Sequence, residues 1–261
     1  MKNCLIDLDG TVYRGETPIE HARAFVEYLE RIGRKYLFVT NCPLKGPQRI
    51  AARLGAMGID ARGKVLTSGM VALRQLARDY PGKSVYAIGS PDFLELLARG
   101  GVRLSFADPD IVLVGYDPDF TYAKMEAASA FIMRGAVFLG TNTDATIPHG
   151  SGTIPHTGAI LASIAAATGK IPLCFGKPSA FMLDAALEEM GCGKEDCAVI
   201  GDRLDTDILF AVSNGIPGYL VLTGSSTRET LRDSLAKGGI APTLVVEDLR
   251  ELIARDSEGG L

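Results

Sequence analysis

Leu5-Ile6-Asp7-Leu8-Asp9-Gly10-Thr11 decides how this chain is read. A short apolar run ends in two carboxylates two residues apart, and Gly10 then permits a sharp exit. The pattern is that of a buried strand running into an acidic turn. Residues i and i+2 of a strand point the same way, so Asp7 and Asp9 converge if the extended geometry persists through Asp9. Two acids so placed repel each other and need a cation, a proton or a substrate.

The chain has 261 residues, 47% of them apolar, enough for packed cores in one large or two ordinary domains. Its 27 basic and 31 acidic residues give a net charge of −4. That offers no basic surface for nucleic acid or anionic lipid, while a phosphate-bearing small molecule remains open. The first ten residues carry Asp7 and Asp9 rather than a signal-type apolar run. No apolar stretch reaches the roughly 18 residues of a membrane helix, so the expectation is a cytoplasmic protein with no membrane partner. Five cysteines, Cys4, Cys42, Cys174, Cys192 and Cys197, read as reduced core thiols. Cys192 and Cys197 have no second pair nearby, which argues against a zinc site.

Strand-like and helical runs alternate from end to end, the mark of α/β architecture with parallel strands. A strand over 4–7, a helix over 18–32 and a strand over 36–40 make a first βαβ unit, followed by helices over 48–57 and 70–78. After Tyr80-Pro81-Gly82 the alternation restarts, with strands over 85–88, 111–114 and 137–139 and helices over 91–99, 122–133 and 157–167. Helices over 179–190, 206–213 and 227–236 then alternate with strands over 198–200, 219–222 and 243–246. The simplest arrangement is a core from 1–81 and 174–261 carrying a second α/β domain, 82–173, as an insertion.

Four groups fall just after an expected strand or just before an expected helix: Asp7/Asp9, Thr40-Asn41, Gly176-Lys177-Pro178 and Gly201-Asp202-Arg203-Leu204-Asp205-Thr206-Asp207. In an open parallel sheet the loops at the carboxyl ends of the strands meet in one crevice. Hard oxygen ligands in that number suit Mg²⁺, and the absence of histidine and thiolate from these segments argues against zinc. Asp7 is then placed to attack a phosphorus atom while Asp9 protonates the departing alcohol. Thr40, the backbone around it and Lys177 neutralise the phosphoryl oxygens. Taken singly, each group has a plainer reading: Thr40-Asn41 as a helix cap, Lys177 as a surface lysine, the acids of 202–207 as favourable charges at a helix start. Their joint occurrence, in this order and at strand ends, speaks for chemistry.

These four motifs resemble those of the haloacid dehalogenase (HAD) superfamily phosphatases. Thr141-Asn142-Thr143-Asp144, followed by Pro148, Gly152, Pro155 and Gly158, is similar to the cap signature of the NagD-like branch, which includes the nitrophenyl and pyridoxal phosphatases. The resemblance implies an α/β fold, a HAD-like Rossmannoid core with an inserted α/β cap. It implies Mg²⁺-dependent hydrolysis of a small phosphorylated metabolite through an aspartyl-phosphate on Asp7, with Asp9 as general acid and then base. Mg²⁺ would be held by Asp7, the Asp9 backbone carbonyl and Asp202, with Asp207 ordering metal-bound water; Thr40, Asn41 and Lys177 would bind the phosphoryl group. Asp205 falls at a variable position and is expected to be a solvated or capping acid. Sugar phosphates, pyridoxal phosphate, nucleoside monophosphates and phosphoglycolate all remain open, and a homodimer through the cap is compatible with the resemblance.

The chain departs from the branch twice, with Thr40-Asn41-Cys42 for Thr-Asn-Asn and Pro155-His156-Thr157-Gly158 for Pro-Gly-x-Gly. His149 and His156 lie in the cap loop and are expected, with Asn142 and Asp144, to contact substrate; a metal pair there lacks a third ligand. Three other readings compete. Dehalogenation through Asp7 is weakened by Asp9, since a halide needs no proton. A non-catalytic binder on the same scaffold is disfavoured because every catalytic position is filled. A Rossmann oxidoreductase lacks GxGxxG after its first strand.

Overall fold

The computed structural model describes residues 1–42, 46–149 and 152–260, apart from the side chains of Pro148 and His149. The chain folds as two compact units: Met1–Thr40, Gln48–Leu66 and Pro178–Leu261 form the first, Asn41–Pro47 and Thr67–Lys177 the second. Along the chain the first unit begins with β1 (Asn3–Ile6), the short ladder of β2 (Tyr13–Arg14) and β3 (Thr17–Pro18), α1 (Ala22–Arg31) and β4 (Tyr36–Thr40). Next come α2 (Pro47–Ala56) and β5 (Val65–Thr67).

The second unit continues with α3 (Ser68–Asp79), β6 (Ser84–Ile88), α4 (Pro91–Arg99), β7 (Arg103–Leu104), β8 (Ile111–Val114) and α5 (Tyr122–Met133). It closes with β9 (Val137–Gly140), β10 (Thr146–His149), β11 (Gly152–Pro155), α6 (Thr157–Thr168) and β12 (Leu173–Cys174). The chain then completes the first unit with α7 (Ala180–Met190), β13 (Cys197–Gly201), α8 (Leu209–Ser213), β14 (Gly218–Val221), α9 (Arg228–Ala236), β15 (Leu244–Val246) and α10 (Leu249–Ser257).

The first unit is built on a sheet ordered β15-β14-β13-β1-β4-β5, whose described pairings are parallel. A parallel sheet covered by helices buries both faces, and the strands are apolar accordingly: Cys4, Leu5 and Ile6 of β1 and all of β13 and β14 are buried. Phe25 and Leu29 of α1, Leu54 of α2 and Leu252 of α10 pack with Ile6, Phe38 and Ile200 in one core. The second unit has its own parallel sheet, β12-β9-β8-β6-β7, with Ile88, Val112 and Val114 packed against Phe131, Ile132 and Ile164 of α5 and α6. Both sheets fit the α/β expectation.

Four local expectations change. The helix expected over 18–32 starts at Ala22, because Thr17 and Pro18 pair with Arg14 and Tyr13 and His21 turns the chain at φ 67°. Asp7 lies just past β1. Segment 206–213 divides into a wide turn, Leu204–Ile208, and the short α8, and the cap loop at 146–155 is an antiparallel hairpin, β10-β11. Among the described residues, no helix is long and apolar enough to cross a membrane.

Candidate active site

β1 and β13 run parallel with Ile6 opposite Ile200, and the Asp7 N–H donates to the Ile200 carbonyl at 2.8 Å. That register carries Asp7 level with Gly201, so Asp202 emerges one residue beyond it. A wide turn then brings Asp207 back: the Arg203 carbonyl accepts from Asp207 N–H at 3.0 Å and from Ile208 N–H at 3.1 Å, an i→i+5 closure of the kind common at functional sites. Arg203 N–H in turn donates to Asp207 Oδ2 at 3.1 Å. As a result, one carboxylate oxygen from each of Asp7, Asp202 and Asp207 lies within 4.8 Å of the other two.

Asp202 and Asp207 are buried and Asp7 half-buried. Backbone approach makes room for them. Gly10 adopts φ +85°, and a β-carbon there or on Gly224 would fall on the Asp202 carboxylate; one on Gly201 would fall on Asp207. Ser225 N–H donates to Asp202 Oδ2, and Ser226 N–H to the Asp202 carbonyl at 3.1 Å. The contribution of the Gly224-Ser225 loop was not legible in the sequence, since no acidic or basic residue marks it. Three convergent carboxylates repel one another, and their all-oxygen donor set fits a hard divalent cation.

Asp9 stands apart from this trio. The loop after Asp7 is closed by Val12 N–H on the Leu8 carbonyl at 2.8 Å and Gly10 N–H on the Tyr13 carbonyl at 2.8 Å. Although the residue keeps exposed surface, desolvation by the surrounding protein pushes the Asp9 carboxyl up from its ordinary value, against the opposing pull of Arg53 and Arg14. Arg53, on α2, holds its guanidinium 3.9 Å from the Tyr13 ring centroid. Thr40 ends β4 and is buried, two residues beyond Phe38, the partner of Ile6. Asp205 is exposed and paired to Arg203 at 3.0 and 2.8 Å, as expected of a solvated acid.

In the second unit, Asn41 and Lys177 are tied together. Asn41 Nδ2 donates to the Lys177 carbonyl at 2.9 Å, and Lys177 N–H donates to Asn41 Oδ1 at 2.7 Å. Asn41 Nδ2 also donates to Asp144 Oδ2 at 2.7 Å. With both amide hydrogens engaged, the Asn41 side chain serves as a tie, and its backbone N–H is the group it can offer an anion. Lys177 is only 3% exposed, which removes the surface-lysine reading. Asn142 and His156 are buried as well: Asn142 Nδ2 lies 2.7 Å from Asp144 Oδ2 and 3.3 Å from His156 Nδ1, and the His156 ring stacks on Tyr116 with centroids 4.7 Å apart. His149 ends β10 by its backbone, and its side chain lies outside the described residues.

Comparison with known proteins decides the family. A haloacid dehalogenase-like hydrolase model matches residues 4–103, and a second HAD-hydrolase-like model matches residues 174–252. The acid sugar phosphatase of Staphylococcus saprophyticus is 36% identical over 254 residues, 97% of this chain and 96% of the relative. That of Staphylococcus aureus is 36% identical over 255 residues, 97% of each chain. The chain belongs to the haloacid dehalogenase-like hydrolases, as a NagD-like phosphatase.

Solved structures of this family agree. The 4-nitrophenylphosphatase of Thermotoga maritima superposes with a TM-score of 0.92 at 30% identity, covering 97% of this chain and 96% of that one. NagD from Escherichia coli K-12 superposes with a TM-score of 0.87 at 30% identity, covering 96% and 98%. For this HAD phosphatase the carboxyl-end cluster in the first unit is the candidate active site.

Proposed function

We propose that this phosphatase hydrolyses small phosphomonoesters with Mg²⁺ at the carboxylate cluster, through a phosphoryl group carried transiently on Asp7. The observation that supports this is the convergence of Asp7, Asp202 and Asp207 oxygens within 4.8 Å at the ends of two neighbouring parallel strands. Asp7, the Asp9 backbone carbonyl and Asp202 are the proposed ligands, with Asp207 behind them. When bound, the cation supplies charge neutralisation for the phosphoryl oxygens.

In the first step a carboxylate oxygen of Asp7 bonds to phosphorus as the ester P–O bond breaks, and Asp9, as the acid, gives its proton to the departing alkoxide. In the second, the Asp9 carboxylate takes a proton from water as the water oxygen bonds to phosphorus. The bond to Asp7 breaks, restoring its carboxylate and releasing inorganic phosphate. The Thr40 hydroxyl, the Asn41 backbone N–H and the Lys177 ammonium are the proposed donors to the phosphoryl oxygens.

Sugar phosphates are the first substrate class to test, because the curated relatives named above are acid sugar phosphatases. Substrate selection is assigned to the inserted domain, 82–173, and the expected location is the cytoplasm. A homodimer through that domain is the proposed assembly, supported by Met133, Ile171 and Leu173, which are exposed there, Ile171 at 91%. Light scattering of the parent and of Ile171→Glu tests it, an unchanged monomer mass in the parent excluding the dimer.

The decisive experiment is acid quenching during turnover of p-nitrophenyl phosphate with Mg²⁺, followed by peptide mass spectrometry. A phosphoryl adduct is expected on the peptide containing Asp7, and Asp7→Asn is expected to lose several orders of magnitude in kcat. A folded Asp7→Asn protein turning over at near the parent rate refutes the mechanism.

A further inference from the structure

Asn41 opens one segment of the second unit and Lys177 closes the other. The two residues are 136 positions apart, yet the Asn41 amide clasps the Lys177 peptide at both its N–H and its C=O. Such a clasp is useful only if the Asn41 side chain is itself held, because an exposed amide rotates among several rotamers. Asp144 holds it. A single oxygen, Asp144 Oδ2, accepts from Asn41 Nδ2 and from Asn142 Nδ2, both at 2.7 Å.

The holding chain extends further. Asn142 Oδ1 accepts from the Thr141 hydroxyl at 2.9 Å, and Asn142 Nδ2 faces His156 Nδ1 at 3.3 Å, so the imidazole nitrogen on that side is the acceptor. Tyr116 stacks under the imidazole, fixing its plane. Gly158 N–H donates to the Asp144 carbonyl at 2.8 Å, which anchors the backbone that carries the carboxylate. Gly176 lets the segments just past the strand ends approach: a β-carbon there would fall on Asn41 Oδ1 and the Thr141 carbonyl. A half-buried carboxylate oxygen that accepts two amide N–H groups holds both donors in one geometry.

We propose that Asp144 is a positioning residue for phosphate binding: through Asn41 it fixes the Lys177 peptide, with Asn142 and His156 as its brace, instead of touching substrate itself. The inference rests on the reading of the Asn41 backbone and Lys177 as phosphoryl-binding groups. Positioning acts on how well the anion is held, so Asp144→Ala is expected to raise KM for p-nitrophenyl phosphate and the inhibition constant of inorganic phosphate together, each by about tenfold, with a smaller change in kcat. Asp144→Asn keeps an acceptor oxygen in the same place and is expected to recover most of that affinity. A merely structural role would lower the melting temperature in both variants without this separation.

The test uses the full chain with Mg²⁺, inorganic phosphate as the probe, and Lys177→Ala and Asn142→Ala alongside. Asn142→Ala removes one of the two donors to Asp144 and is expected to give an intermediate loss; it serves in place of Asp144→Ala if that protein does not fold. If Lys177→Ala weakens phosphate inhibition while Asp144→Ala and Asn142→Ala leave it unchanged, the positioning role is overturned and the phosphate reading stands. If Lys177→Ala itself leaves phosphate inhibition unchanged, the phosphate reading fails and the proposal with it. A tenfold loss in Asp144→Ala that Asp144→Asn does not recover assigns the effect to charge and also overturns the clasp.

Discussion

Gly10 lies directly against the carboxylate of Asp202: with φ at +85°, a β-carbon on residue 10 would overlap Asp202 Oδ2 and Cγ. The neighbouring carboxylate is buried and cannot swing into solvent to make way. Gly10→Ala is therefore expected to lower activity more than tenfold as well as stability, the left-handed backbone alone costing about 1–2 kcal/mol. Gly33→Ala provides the comparison, since Gly33 has φ +69° and no atom within 4 Å of a built β-carbon. Thermal melts and kcat/KM should show a stability loss in both and an activity loss in Gly10→Ala alone. Equal activity in the two would remove the steric argument for the Asp202 cradle.

Chelation is expected to silence the enzyme reversibly, because the proposed cation offsets the mutual repulsion of Asp7, Asp202 and Asp207. Mg²⁺ should restore turnover and Ca²⁺ should do so poorly, its larger and looser shell misplacing the nucleophile. Full turnover in excess chelator, with no metal found by elemental analysis, would eliminate the cation.

Asp205 and Asp207, the two acids of the turn that follows Asp202, should separate cleanly. Asp207 is buried and belongs to the carboxylate trio, whereas Asp205 is exposed and paired with Arg203. Titrating activity with Mg²⁺ is expected to show at least about a tenfold weaker requirement constant in Asp207→Asn and less than about a twofold change in Asp205→Asn. Comparable losses in both would contradict the cluster geometry.

Asp110 in the second unit should be one contributor to the acid sensitivity of the fold. The Lys83 ammonium at 2.8 Å, then the Ser84 N–H and hydroxyl, each at 2.8 Å, hold this carboxyl below its usual range. Because the folded value is depressed, its contribution is complete above the ordinary carboxylate value of about 4 and is lost as pH falls below it. Melts from pH 6 to pH 3 should show the stability gap between parent and Asp110→Asn shrinking as pH drops. A constant gap would mean that the depressed carboxyl contributes nothing to the acid limb.

The acidic trio was legible in the sequence because its signals are local. An apolar run into Asp7-Leu8-Asp9-Gly10 marks a strand end, Gly201-Asp202 marks another, and the alternation of strand and helix patterns implies the parallel sheet that sets them side by side. The expectation that Asp205 is a solvated or capping acid came from the resemblance, which places it at a variable position of the motif, and Asp205 is exposed and paired with Arg203. The start of α1 was misplaced because residues 17–18 satisfy a helix pattern as well as the ladder they form with Tyr13 and Arg14, and pairing across a turn outweighs a local preference. The β10-β11 hairpin was unreadable for a related reason: Thr146–His149 and Gly152–Pro155 each contain proline and show no clean alternation, so only their mutual pairing makes them strands. Tertiary structure alone decided that Lys177 is buried and that Asp144 serves Asn41. Those bonds join residues 103 and 136 positions apart, and periodicity records which face a side chain occupies but not which distant partner completes its hydrogen bonds.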